Sequence, residues 1–141
     1  DDDVHLPRRV AHSLAALRCS GKRAIMLDAW LMLHRKSTQR GGTTRNAKMY
    51  VAPRGLQPGS ILAERRLLID CYPDLTRGVK DQEIGEDSVC ADKLNSKNAI
   101  AVLHAPQLYL YINHGKNTCS YKHFKWLSMR AGREKQLQYT P

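Results

Sequence analysis

The sequence predicts a mostly β protein with added helices: a small β-barrel or sandwich body, a flexible basic arm, and helical terminal extensions. Three observations carry that expectation. Between Met49 and Leu110 short apolar runs alternate with Pro/Gly turns, the pattern of short strands in a small barrel or sandwich. Residues 35–48 hold five basic groups, two glycines and no acid. Residues 7–34 and 121–138 carry apolar side chains at helical spacing.

The chain has 141 residues, room for one domain with a modest core. In the N-terminal extension, residues 1–34, two helices are expected, broken near Ser20-Gly21. Val10, Leu14 and Leu17 recur at helical spacing in the first, and Pro7 is tolerated at its entry. The second covers Ile25 to Leu33 and is apolar nearly all round, so burial against neighbours is expected. Trp30 within it is read as a packing anchor. This run is about nine residues and includes Asp28, whereas a spanning helix needs roughly 20 apolar residues.

Charge is segregated along the chain. Twenty-three Lys+Arg against thirteen Asp+Glu leave a formal +10, with a pI near 9.7. Residues 34–66 hold eight basic groups against Glu64 alone, residues 67–97 hold four against seven acids, and residues 98–141 hold six against Glu134. Two positive blocks therefore flank an acidic middle. Such a surplus favours a polyanionic partner, because each phosphate neutralised releases condensed counterions. Aromatic content is only 6%, which argues for phosphate contacts over base-stacking platforms.

The arm, RKSTQRGGTTRNAK at 35–48, has no large apolar side chain and is expected to gain order only on a partner. Arg35, Lys36, Arg40, Arg45 and Lys48 suit phosphates; Gly41 and Gly42 allow close backbone approach; Thr44 and Asn46 suit sugar or base edges. In the β body, 49–112, turns are expected at Pro53-Arg54-Gly55, Pro58-Gly59, Pro73-Asp74 and Gly85. Strands are expected at Ile61–Ala63, Leu67–Ile69, Ser88–Ala91, Ala99–Leu103 and Leu108–Ile112. In the C-terminal extension, 113–141, an amphipathic helix is expected from about Tyr121 to Gln138.

Residues 35–103 resemble, as an ordered set of weak motifs, the bacterial-type large-subunit ribosomal protein L-twenty-seven family in a divergent mitochondrial form. Gly41-Gly42-Thr43-Thr44-Arg45-Asn46 stands for the family's glycine-rich arm. Leu56-Gln57-Pro58-Gly59-Ser60-Ile61-Leu62 matches its turn and strand, the strongest of the matches. Glu64-Arg65-Arg66 and Tyr72-Pro73-Asp74 occupy an arginine-rich strand and turn, and Ile84-Gly85-Glu86-Asp87 before Ser88-Val89-Cys90-Ala91 is similar to a later block. The arm lacks the family's glycine-arginine-aspartate-serine continuation. Tyr72 replaces the turn histidine and Asp74 the turn glycine.

The resemblance implies a structural constituent of the large mitochondrial ribosomal subunit, a matrix protein of translation and not an enzyme. It implies a β body docked on rRNA and an arm directed toward the peptidyl-transferase region and tRNA. Its expected partners are rRNA, neighbouring ribosomal proteins and tRNA, with no membrane, small-molecule substrate or cofactor. Arg54, Arg65 and Arg66 would dock the body; Lys122, Lys125 and Arg130 would bind further rRNA or a neighbouring protein.

Other chemistries leave weaker traces. Tyr111-Ile112-Asn113-His114-Gly115 resembles the asparagine-histidine segment of SET-type lysine methyltransferases, which would imply a small protein methyltransferase, but no cofactor glycine motif precedes it. His114, Cys119 and His123 lie close enough to share an ion, yet structural zinc wants four ligands and no adjacent fourth is present. Cys19, Cys71, Cys90 and Cys119 form no CxxC pair and are read as free thiols. No nucleophile–histidine–acid order or paired carboxylates stand in a recognisable catalytic context.

Overall fold

The computed structural model describes residues 3–34, 48–51, 55–73, 85–113 and 121–130. The chain divides into two compact units, one formed by Asp1–Pro7, Ala29–Gly55 and Ala105–Pro141, the other by Arg8–Asp28 and Leu56–His104.

The first unit is built on a four-stranded sheet. Its strands are β1 (Val4–His5), β3 (Leu31–His34), β4 (Lys48–Val51) and β7 (Tyr109–Asn113), in the order β1-β7-β3-β4. β3 and β7 run parallel, with Met32 opposite Tyr111; β3 and β4 run antiparallel, with His34 opposite Lys48. β7 reads YLYIN, aromatic and branched side chains that suit a pleated, half-buried surface. Met32 and Tyr109 are fully buried, and the Tyr109 hydroxyl donates to Asp3 Oδ2. Trp30 is buried, as expected of a packing anchor. Helix α4 (Tyr121–Arg130) sets Phe124 against Tyr111 of β7, ring centroids 5.0 Å apart.

The second unit holds a three-stranded sheet of β2 (Ala24–Leu27), β5 (Leu62–Ala63) and β6 (Ile100–Leu103), in the order β5-β2-β6. β2 is the central strand, parallel to β6 and antiparallel to β5, and all four of its residues are buried. That explains its unbroken apolar sequence, since a strand covered on both faces needs no alternation. Helices α1 (Arg9–Ser20), α2 (Arg65–Cys71) and α3 (Glu86–Ser96) complete the unit. Leu67 and Cys71 of α2 meet Cys90 and Leu94 of α3 in a core with Ala24 and Ala99. α1 ends at Gly21 in the left-handed conformation (φ 66°), where glycine carries no Cβ penalty.

Three expectations are corrected. The fold is mixed α/β, with two separate mixed sheets and no closed barrel among the described residues. The helix expected over Ile25–Leu33 is instead β2 and β3, parted at Asp28-Ala29-Trp30, where the Asp28 N–H donates to the Leu103 carbonyl. An apolar run this short has no period that separates a buried strand from a buried helix.

Leu67–Ile69 and Ser88–Ala91, expected as strands, lie in α2 and α3. The core pairs Leu67/Cys71 and Cys90/Leu94 are each four residues apart, the spacing of one helix face. Glu86 and Asp87 also complement the dipole at the start of α3. α1 forms where its spacing predicts, but Val10 and Leu14 of the apolar stripe are exposed and Ser13 is the buried residue.

The strands β5, β6 and β7 agree with the expected Ile61–Ala63, Ala99–Leu103 and Leu108–Ile112 within a residue or two. α4 realises the expected C-terminal helix as far as Arg130; residues 131–138 lie outside the described residues.

Candidate nucleic-acid interface

Of the basic arm, Arg35, Lys36, Arg40, Gly41, Gly42, Thr44, Arg45 and Asn46 lie outside the described residues, as does Arg54. Its two ends are described. His34 closes β3 and Lys48 opens β4, and these two residues are cross-strand partners in an antiparallel pair. The acid-free segment 35–47 therefore leaves and re-enters one sheet at adjacent positions. It joins two paired strands rather than trailing from a terminus.

Arg65 and Arg66 are exposed at the first turn of α2, which carries no acid there. Cations at a helix N-terminus oppose the dipole, at about 0.3–1 kcal/mol each when exposed, and an approaching anion offsets that cost. Lys122 and Lys125 are exposed on α4, and Arg130 is its last residue. No acid occurs in that helix, YKHFKWLSMR.

A further basic cluster in the second unit escaped the sequence reading. Lys22, Arg23 and Lys97 line an open cleft of about 490 Å3 with Asp70 and Asn98. It lies where α1 and α3 end, at two left-handed residues, Gly21 and Asn98 (φ 51°). Lys22 Nζ donates to both the carbonyl and Oδ1 of Asn98, each at 2.9 Å. Arg23 Nε donates to Glu64 Oε2 at 2.8 Å. Both residues of that ion pair are about half exposed, so it contributes little to stability. The signal available in sequence was Gly21-Lys22-Arg23, two cations directly after a helix-ending glycine.

Ser60, the serine of the PGSIL segment, has a structural role. It is buried, accepts from the Leu27 N–H at 2.9 Å and donates to the Gln57 carbonyl at 2.6 Å. Asn113 of the asparagine-histidine segment is buried at the end of β7, while His114, Gly115 and Cys119 lie outside the described residues. Among the described residues no group of three or more His, Cys, Asp or Glu is placed to hold a metal ion, and no helix is long and apolar enough to cross a membrane.

Cys71 and Cys90 are buried free thiols. Burial, then the neighbouring Cys71, pushes the Cys90 thiol above its usual range. A buried thiol held protonated is a poor nucleophile.

No family model matches the chain, and neither a curated protein nor a solved structure matches it.

Proposed function

We propose that this chain is a non-enzymatic RNA-binding component of a ribonucleoprotein, and that its assembly is the large subunit of a mitochondrial ribosome. The observation that carries the RNA-binding part is the acid-free segment 35–47, with Arg35, Lys36, Arg40 and Arg45, held at both ends by the pairing of β3 and β4. Anchoring the ends of a polar segment lowers the entropy lost when it orders on a partner. The exposed Arg65, Arg66, Lys122 and Lys125 extend the cationic surface within each unit, in line with the net +10.

The ribosomal part rests on the ordered motifs alone. Two of the segments aligned with family strands, Glu64-Arg65-Arg66 and Ser88–Ala91, lie wholly or partly in α2 and α3, so the likeness is one of sequence order and not of strand pattern. The charge supports a polyanionic partner such as RNA; contact with rRNA in particular, and a place near the peptidyl-transferase region and tRNA, belong to the resemblance.

Titrating the chain with RNA at a series of salt concentrations separates these parts. RNA binding should weaken with salt, and the Arg40/Arg45/Lys48 triple alanine variant should lower the log–log slope by about 2, at roughly 0.7 per single-strand phosphate contact. A chain indifferent to RNA at low salt ends the RNA-binding reading. Failure to co-sediment with large mitochondrial ribosomal subunits, with RNA binding intact, ends only the ribosomal one.

A further inference from the structure

α1 turns much of its apolar surface away from the protein. Its buried residue is Ser13, with Ala16 and Leu17 partly buried beside it, where the helix lies on the sheet of β2, β5 and β6. Val10, Ala11, Leu14, Ala15 and Arg18 are exposed, spaced i, i+1, i+4, i+5 and i+8, which is one continuous helix face. Val10 is 61% exposed and Leu14 38%. The chain on both sides of α1, residues 3–34, is described and leaves this face open. A lone exposed apolar side chain needs no explanation. Two branched side chains one turn apart, beside two alanines that let a second backbone come close, form a stripe of the kind a partner helix packs on.

The stripe ends in a cation on each side. Arg8 stands just before the helix and Arg18 in its last turn, both exposed, and α1 contains no acid. Neither arginine is paired with a carboxylate among the described residues. They are ten residues apart in sequence, about 15 Å along a helix axis at roughly 1.5 Å per residue.

We infer that this face docks an acidic amphipathic helix of another protein, its apolar side on Val10 and Leu14 and its carboxylates on Arg8 and Arg18. The inference goes beyond the RNA-binding reading and does not depend on it. Charge complementarity selects the occupant, and a carboxylate brought to Arg8 also meets the positive end of the α1 dipole. A second copy fits less well: laid antiparallel it sets Arg8 against Arg18 of the other copy, and laid parallel it sets each arginine against its like, both repulsive. RNA satisfies the arginines but leaves Val10 and Leu14 against sugar and phosphate. A lipid surface needs a broad apolar face, and two large apolar side chains do not supply one.

The full chain is titrated with a labelled synthetic peptide of about 20 residues, long enough to hold a helix, with leucines at helical spacing and glutamates elsewhere. A second peptide carries lysine in place of every glutamate. The glutamate peptide should bind and the lysine peptide should not. Val10→Gln with Leu14→Gln should weaken glutamate-peptide binding about 30-fold, the equivalent of about 2 kcal/mol at about 1.4 kcal/mol per decade. Both sites are exposed, and unchanged far-UV circular dichroism shows that this variant is folded. Arg8→Gln with Arg18→Gln should weaken the peptide and flatten the salt dependence of its binding.

No binding of the glutamate peptide, or binding within twofold of native in either double variant, overturns the inference; in the latter case the general positive charge holds the peptide. A dimer in sedimentation that the Val10/Leu14 variant dissolves overturns it in favour of a second copy. Binding to RNA or to phosphatidylserine-containing vesicles that falls in the same variant overturns it in favour of that surface. A native chain that binds the peptide and ignores RNA ends the RNA-binding reading and leaves this one standing.

Discussion

Replacing Ser60 with alanine tests how the end of β2 is completed. β5 pairs with β2 only at Ala24 and Ile25, so on that side Leu27 has no strand partner. Residues 57–60 supply the missing groups: the Gln57 N–H donates to the Leu27 carbonyl at 2.9 Å, and the Leu27 N–H donates to Ser60 Oγ, also at 2.9 Å. The Ser60 hydroxyl in turn donates to the Gln57 carbonyl. Ser60 and Leu27 are 2% and 1% exposed, so water does not readily replace the lost hydroxyl. Ser60→Ala leaves a buried N–H without its acceptor, which costs about 1–3 kcal/mol.

Urea unfolding followed by far-UV circular dichroism should show a loss of about 2 kcal/mol, the middle of that range. Amide exchange at Leu27 should accelerate roughly 30-fold, the same energy converted at about 1.4 kcal/mol per decade. Asn95→Ala, at an exposed position of α3, should stay within about 0.5 kcal/mol of native. A Ser60→Ala chain with unchanged stability and unchanged Leu27 exchange would refute the hydroxyl's part in holding β2.

Two other perturbations probe the second unit. Leu94→Ala removes a fully buried side chain from the core shared by α2 and α3 and should cost about 2–5 kcal/mol in the same urea experiment; a loss below about 1 kcal/mol would contradict the helical packing of residues 86–96. Burial, then Cys71, raises the Cys90 thiol, so the folded state binds its proton more tightly than the unfolded chain does. Stability from this group is complete below the unfolded thiol value of about 8.5 and falls as pH rises through the raised folded value. Cys90→Ala should therefore show a shallower alkaline decline than the native chain, and equal slopes above pH ~8.5 would dismiss the effect.

Local chemistry made part of this protein readable without coordinates. Gly21 ends α1 because a glycine adopts the left-handed conformation there at least cost, and the aromatic alternation of Tyr109–Asn113 marks a strand. Net charge and its segregation are properties of composition and need no fold at all. Tertiary context decided the rest. Ile25–Leu33 forms two strands in two different sheets, which the sequence could not decide because a short, nearly all-apolar run carries no period to choose by.

Leu67–Ile69 and Ser88–Ala91 became helical because Leu67, Cys71, Cys90 and Leu94 bury one another at four-residue spacing, a pairing between segments that neither displays alone. The same holds for the surface. Trp126 looks like any core tryptophan in sequence, and only the packing of Phe124 and Leu127 beneath α4 turns its indole outward. Which side of a helix meets solvent is set by what the other side finds to bury against, and that is a property of the assembled chain.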